Sequence, residues 1–149
     1  MRIQLKERPG FQFPLKFRPI ISDTAAYLLL ALFMYTAASK ILTINAFSST
    51  LAKSPIIGSY SLFVAWLIPI SEIVISLLLI IAGTRKLGLY ASLALLGIFT
   101  IYLVYMVSSG TKLPCHCGGA ISTMTWQQHI WFNAAFLLIA AIGIRSYKK

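Results

Sequence analysis

Acid is scarce in this sequence. Glu7, Asp23 and Glu72 are the only carboxylate side chains in 149 residues. Charged residues of either sign make up 11% of the chain and hydrophobic ones 58%. Soluble domains carry about 25% charged and about 45–50% apolar residues. A soluble protein of this length could not cover so much apolar surface, so the shortage of charge points first to a membrane protein. Cysteine is nearly absent too: Cys115 and Cys117 are the whole complement, and no second pair exists to complete a four-thiolate metal site. There is no internal repeat and no low-complexity segment. Alternating β-branched runs are few, which argues against a membrane β-barrel.

What is present is apolar and basic. A hydrocarbon core of about 30 Å needs about 20 helical residues, and four stretches fit: about 25–44, 59–83, 87–107 and 126–144. Each is apolar nearly all round, as lipid or bundle burial requires. The mean hydropathy of +0.82 agrees. The net charge of +10 does not form one basic face, which excludes a nucleic-acid partner as the reading of choice. Arg2, Lys6, Arg8, Lys16 and Arg18 precede the first span, Arg85 and Lys86 join the second to the third, and Arg145, Lys148 and Lys149 follow the fourth. Those ten oppose only three, Lys40, Lys53 and Lys112, on the other side. The positive-inside rule then puts both termini in the cytoplasm and the cysteine segment outside. The basic residues ahead of the first span, and its length, favour a retained helix over a cleaved signal peptide.

This predicts an all-α, four-helix integral membrane bundle. Residues 1–23 form a basic cytoplasmic or interfacial tail, 24–144 the membrane domain and 145–149 a basic cytoplasmic end. Pro9, Pro14 and Pro19 bar one continuous helix from the tail, and Ser22 or Asp23 is expected to cap the first span.

Polar residues inside the spans mark function or packing. Glu72 lies mid-span, three residues after Pro69, which removes a backbone donor and can bend the helix. Lys40 lies near the outer end of the first span, roughly 10 Å away in depth. Its long stem can either bridge to Glu72 or snorkel outward. Thr36, Ser39, Ser71 and Ser76 are expected to hydrogen-bond across helices. His129 and Asn133, one turn apart, share a face of the fourth span. Thr125 and Gln128 fit a capping box starting that helix at Trp126. Trp126 and Trp131 read as interfacial anchors.

Three readings of "PCHCGG" compete. As a structural staple a Cys-x-Cys bridge is poor: its three-residue loop is worth roughly 1.6 kcal/mol, against about 3 for a 15-residue loop. Metal binding through Cys115, Cys117, His116 and His129 suits Cu(I) or Zn, but consecutive residues of an extended chain point opposite ways. Reversible thiol–disulfide exchange suits a strained, accessible pair. His116 and Lys112 would favour the thiolate, and Gly118 and Gly119 let a partner approach closely.

These features resemble the MauE branch of the MauE/DoxX-like membrane proteins, small four-helix proteins associated with redox chemistry. The resemblance covers about residues 24–144. "ASKILTINAF" is similar to the family's lysine segment, matching Lys40 and Phe47. "LIPISE" is similar to its proline and glutamate, matching Pro69 and Glu72. "CHCGG" resembles its Cys-x-Cys-x-Gly loop, and "WQQHIWFN" the helix that follows, with His129 and Asn133 matching. The resemblance implies a part in handling disulfides of exported proteins, alongside a thioredoxin-like or other cysteine-containing partner.

The expectation is therefore a multi-pass protein of the bacterial inner membrane whose Cys115 and Cys117 exchange disulfides with an extracytoplasmic partner. His116, His129, Asn133, Glu72 and Lys40 would support them. By analogy with other four-helix thiol oxidases, a quinone held near His129 and Glu72 would take the electrons. Two rivals stand beside this: a non-enzymatic subunit of a larger membrane complex with structural cysteines, and a copper- or zinc-handling protein.

Overall fold

The computed structural model describes residues 18–110 and 125–147. This part is all helical: α1 (Arg18–Leu42), α2 (Ile44–Ala52), a 3₁₀ turn (Gly58–Tyr60), α3 (Ser61–Ile80), α4 (Arg85–Ser108) and α5 (Trp126–Ser146). Four helical segments, with α3 taken together with its preceding turn, are long and apolar enough to cross a membrane. In lipid every backbone group must be satisfied internally, and a helix does this within one segment. The outer faces keep Leu28, Leu62, Ile98, Ile101, Leu138 and Trp131 exposed. Apolar exposure on this scale is a lipid-facing surface.

The four long helices form a ring in the order α1, α3, α4, α5, with α2 packed on α3. The core gathers Leu29 and Phe33 from α1, Ile75 and Leu79 from α3, Leu89 and Leu96 from α4 and Ala140 from α5. Small residues set the closest crossings, since lipid tails give no hydrophobic push between helices. A Cβ on Gly88 would lie 3.0 Å from backbone atoms of Leu78 and Leu79, and one on Gly143 would lie 2.9 Å from the Ala25 Cβ.

The two ends of the bundle differ. At one, Arg85 donates from Nη1 to Asp23 Oδ1 and from Nε to the Leu79 carbonyl at 3.2 Å, while the Tyr147 hydroxyl meets the Ala82 carbonyl at 3.5 Å. The start of α1, the α3–α4 turn and the end of α5 are thereby tied together. At the other end α2 seats Phe47 and Leu51 against Ala65 of α3.

The spans fall where hydropathy puts them, with one correction. α1 begins at Arg18 rather than near Ala25, so Ser22 and Asp23 lie inside the helix and cap nothing. Pro19 does not prevent this because it occupies the first turn, whose N–H groups have no intrahelical acceptor. Asp23 instead serves the Arg85 pair. α3 runs unbroken through the buried Pro69.

A polar cluster in the wall of an interior cavity

In the half of the bundle away from the Arg85 clamp, the helices leave a cavity of about 360 Å³. Aromatic rings from four helices line it: Phe33, Phe47, Phe99, Tyr102 and Phe132. Lys40, Glu72, His129 and Asn133 share its wall with the hydroxyls of Thr36, Thr50 and Ser71. The first four were singled out in the sequence as site residues, and they come from α1, α3 and α5.

Lys40 reaches back along α1 and donates from Nζ to Glu72 Oε1 at 2.7 Å. The bridging alternative holds, and outward snorkelling does not. Both side chains are buried, at 5% and 1% exposure. The ammonium also sits 5.7 Å from the centre of the Phe99 ring, within cation–π range. Pairing two charges is what makes their burial tolerable.

Among the described residues the second carboxylate oxygen, Glu72 Oε2, has no hydrogen-bond partner, and neither has Asn133 Nδ2. One is an acceptor and the other a donor. Among the described residues the Asn133 amide N–H groups therefore join no second helix. His129 is buried one turn earlier on α5, and its backbone N–H bonds the Thr125 carbonyl at 3.0 Å. The capping box that aims this turn is present: Gln128 N–H to Thr125 Oγ1 at 3.3 Å, and Thr125 N–H to Gln128 Oε1 at 3.0 Å.

The serine hydroxyls correct another expectation. Ser71 donates to the Leu67 carbonyl at 2.7 Å and Ser76 to the Glu72 carbonyl at 2.8 Å. Both bonds stay within their own helix, because a hydroxyl on a helix finds its nearest acceptor one turn back. Thr36 donates to the Phe33 carbonyl at 3.2 Å, and its hydroxyl also lies against the Glu72 carboxylate of α3.

Cys115, His116, Cys117 and Lys112 lie outside the described residues, as does the tail before Arg18 and the Trp126 side chain. The ends of their segment are described. Met106 in the last turn of α4 and His129 in the first turn of α5 both line the cavity. Among the described residues no three His, Cys, Asp or Glu side chains gather as a metal site would require.

Sequence reading missed the α4 wall. Phe99, Tyr102, Leu103 and Met106 line the cavity, and their i, i+3, i+4, i+7 spacing is a readable helical face. It was hidden within an apolar run with no polar residue to single it out.

A protein-family model described as "Methylamine utilisation protein MauE" matches residues 18–146. No curated protein matches the chain, and no solved structure does.

Proposed function

Because this chain belongs to the MauE family, we propose that it is a thiol–disulfide redox protein of the bacterial inner membrane, with Cys115 and Cys117 as its exchanging pair. One observation carries the reading. The two helix ends that flank the cysteine segment also build the wall where Lys40, Glu72, His129 and Asn133 meet. Buried ionisable groups in a membrane are costly and mark function by default, and one of them, His129, lies in the first turn of the helix that follows the only two cysteines in the sequence.

The basic residues at the Arg85 end favour a cytoplasmic position for that end and a periplasmic one for the cysteine segment. There a thiolate of an extracytoplasmic partner, thioredoxin-like or otherwise cysteine-containing, attacks the Cys115–Cys117 disulfide. One S–S bond breaks, a mixed disulfide forms and one cysteine leaves as thiolate. The partner's second thiolate displaces the other cysteine. The partner loses two electrons and the pair gains them. His116 and Lys112 favour the thiolate form of the leaving sulfur.

The test is redox trapping in native membranes. Alkylation should find both the dithiol and the disulfide, and Cys115→Ser should hold a partner through Cys117, or Cys117→Ser through Cys115. A pair found in one state only, unmoved by reductant and capturing nothing, refutes the reading.

A further inference from the structure

We infer that the interior cavity is a quinone site opening sideways to the lipid between α3 and α4, with Asn133 and Glu72 holding the ring's oxygens. This rests on the thiol–disulfide reading for its electron donor, and on the cavity alone for its ligand.

Three observations set the chemistry of the occupant. First, the mouth faces lipid. Leu67 of α3 and Ile98 of α4 line the cavity and are also exposed on the bundle's outer surface. The same two helices meet tightly at Gly88, near the opposite end. What enters here comes from the bilayer. Second, the body of the site is apolar and aromatic, through Phe33, Phe99, Tyr102 and Phe132, which suits a flat ring. Third, two buried polar atoms in the wall lack partners among the described residues, the donor Asn133 Nδ2 and the acceptor Glu72 Oε2. An acyl chain would leave both unsatisfied, at the full desolvation penalty of each. A ring bearing oxygens at opposite edges satisfies them. In its oxidised form a carbonyl accepts from Asn133. In its reduced form a hydroxyl donates to Glu72, whose other oxygen is already held by Lys40.

Quinones are the membrane-soluble rings that offer carbonyls in one redox state and hydroxyls in the other. The step balances without a further reactant. The Cys115–Cys117 dithiol loses two electrons and two protons, two S–H bonds break and one S–S bond forms. The quinone gains the same electrons and protons as two O–H bonds. The regenerated disulfide is the form that accepts electrons from the partner.

The experiment uses the full chain in lipid nanodiscs and a photoreactive azidoquinone, with label sites mapped by mass spectrometry and decylubiquinone as competitor. Label is expected on cavity-lining residues of α3, α4 and α5 and should be displaced by decylubiquinone but not by decanol. Asn133→Leu should raise the half-competing concentration about tenfold, the effect of one lost hydrogen bond. Leu67→Trp alters only the exposed mouth, leaves the buried wall intact and should block labelling. Cys115→Ser/Cys117→Ser should label as the parent does. Label confined to the lipid-facing surface, or displaced equally by decanol, or indifferent to both Asn133→Leu and Leu67→Trp, overturns the site. If labelling follows the expected pattern but the parent's thiols never reduce decylubiquinone, the electron step falls and the binding site stands. If the thiols exchange with a partner while no label enters the cavity, the site falls and the thiol reading stands.

Discussion

Removing the Lys40 ammonium should damage this bundle more than removing the Glu72 carboxylate. The two charges meet at 2.7 Å, but they have unequal escape routes. Glu72 lies in the middle of α3 and reaches neither end of its helix. Lys40 lies in the last turn of α1, and its four-carbon stem can carry the ammonium toward the headgroups. Breaking a buried pair by deleting one partner costs about 3–5 kcal/mol, because an uncompensated charge stays behind. Lys40→Met should therefore lie at the upper end of about 3–5 kcal/mol, and Glu72→Leu at or below the lower end. The double variant leaves no charge to bury and should return to within about 1 kcal/mol of the parent, since apolar replacement of a whole pair is often neutral. The assay is SDS-driven unfolding in mixed micelles followed by helical circular dichroism, read as a double-mutant cycle. The double variant should recover stability yet fail in quinone labelling. If Lys40→Met is as stable as the parent, or the double variant loses the sum of the two single losses, the pair does not hold the bundle as reasoned here.

Two smaller predictions follow from backbone geometry and capping. Gly88→Ala places a methyl 3.0 Å from the α3 backbone at Leu78 and Leu79; it should cost about 1–3 kcal/mol by overpacking, seen in the same unfolding titration. Thr125→Ala removes the hydroxyl that accepts the Gln128 N–H and should cost about 1 kcal/mol, with faster amide exchange confined to the first turn of α5.

The four spans were readable because lipid demands long apolar helices and permits little else. The Lys40–Glu72 pair was readable for a related reason: two lone opposite charges in neighbouring spans have few ways to be buried other than together. The start of α1 was misread because a proline that breaks a helix interior is harmless in the first turn. α2 went unseen although Ile44, Phe47 and Leu51 carry helical spacing; at nine residues it is too short to declare itself, and it stands through its contacts with α3. Of the cavity only the α4 face is legible in sequence, through the spacing of Phe99, Tyr102, Leu103 and Met106. The space itself is enclosed by residues of all five helices, and no one helix's residues encode how the others stand around it.

The Gly88 crossing has the geometry of a pivot. Arg85 fastens it to Asp23 on α1 and to the Leu79 carbonyl on α3, so sliding α4 there would break both bonds, whereas a small tilt would keep them. Ile98 lies ten residues farther along the same helix, a lever arm of about 15 Å at 1.5 Å per residue. A tilt of about 5° about the fulcrum would shift the mouth by about 1 Å on that arm while barely disturbing the fastened end. Rigidity at one pole is thus what lets a slight angular change act selectively at the other.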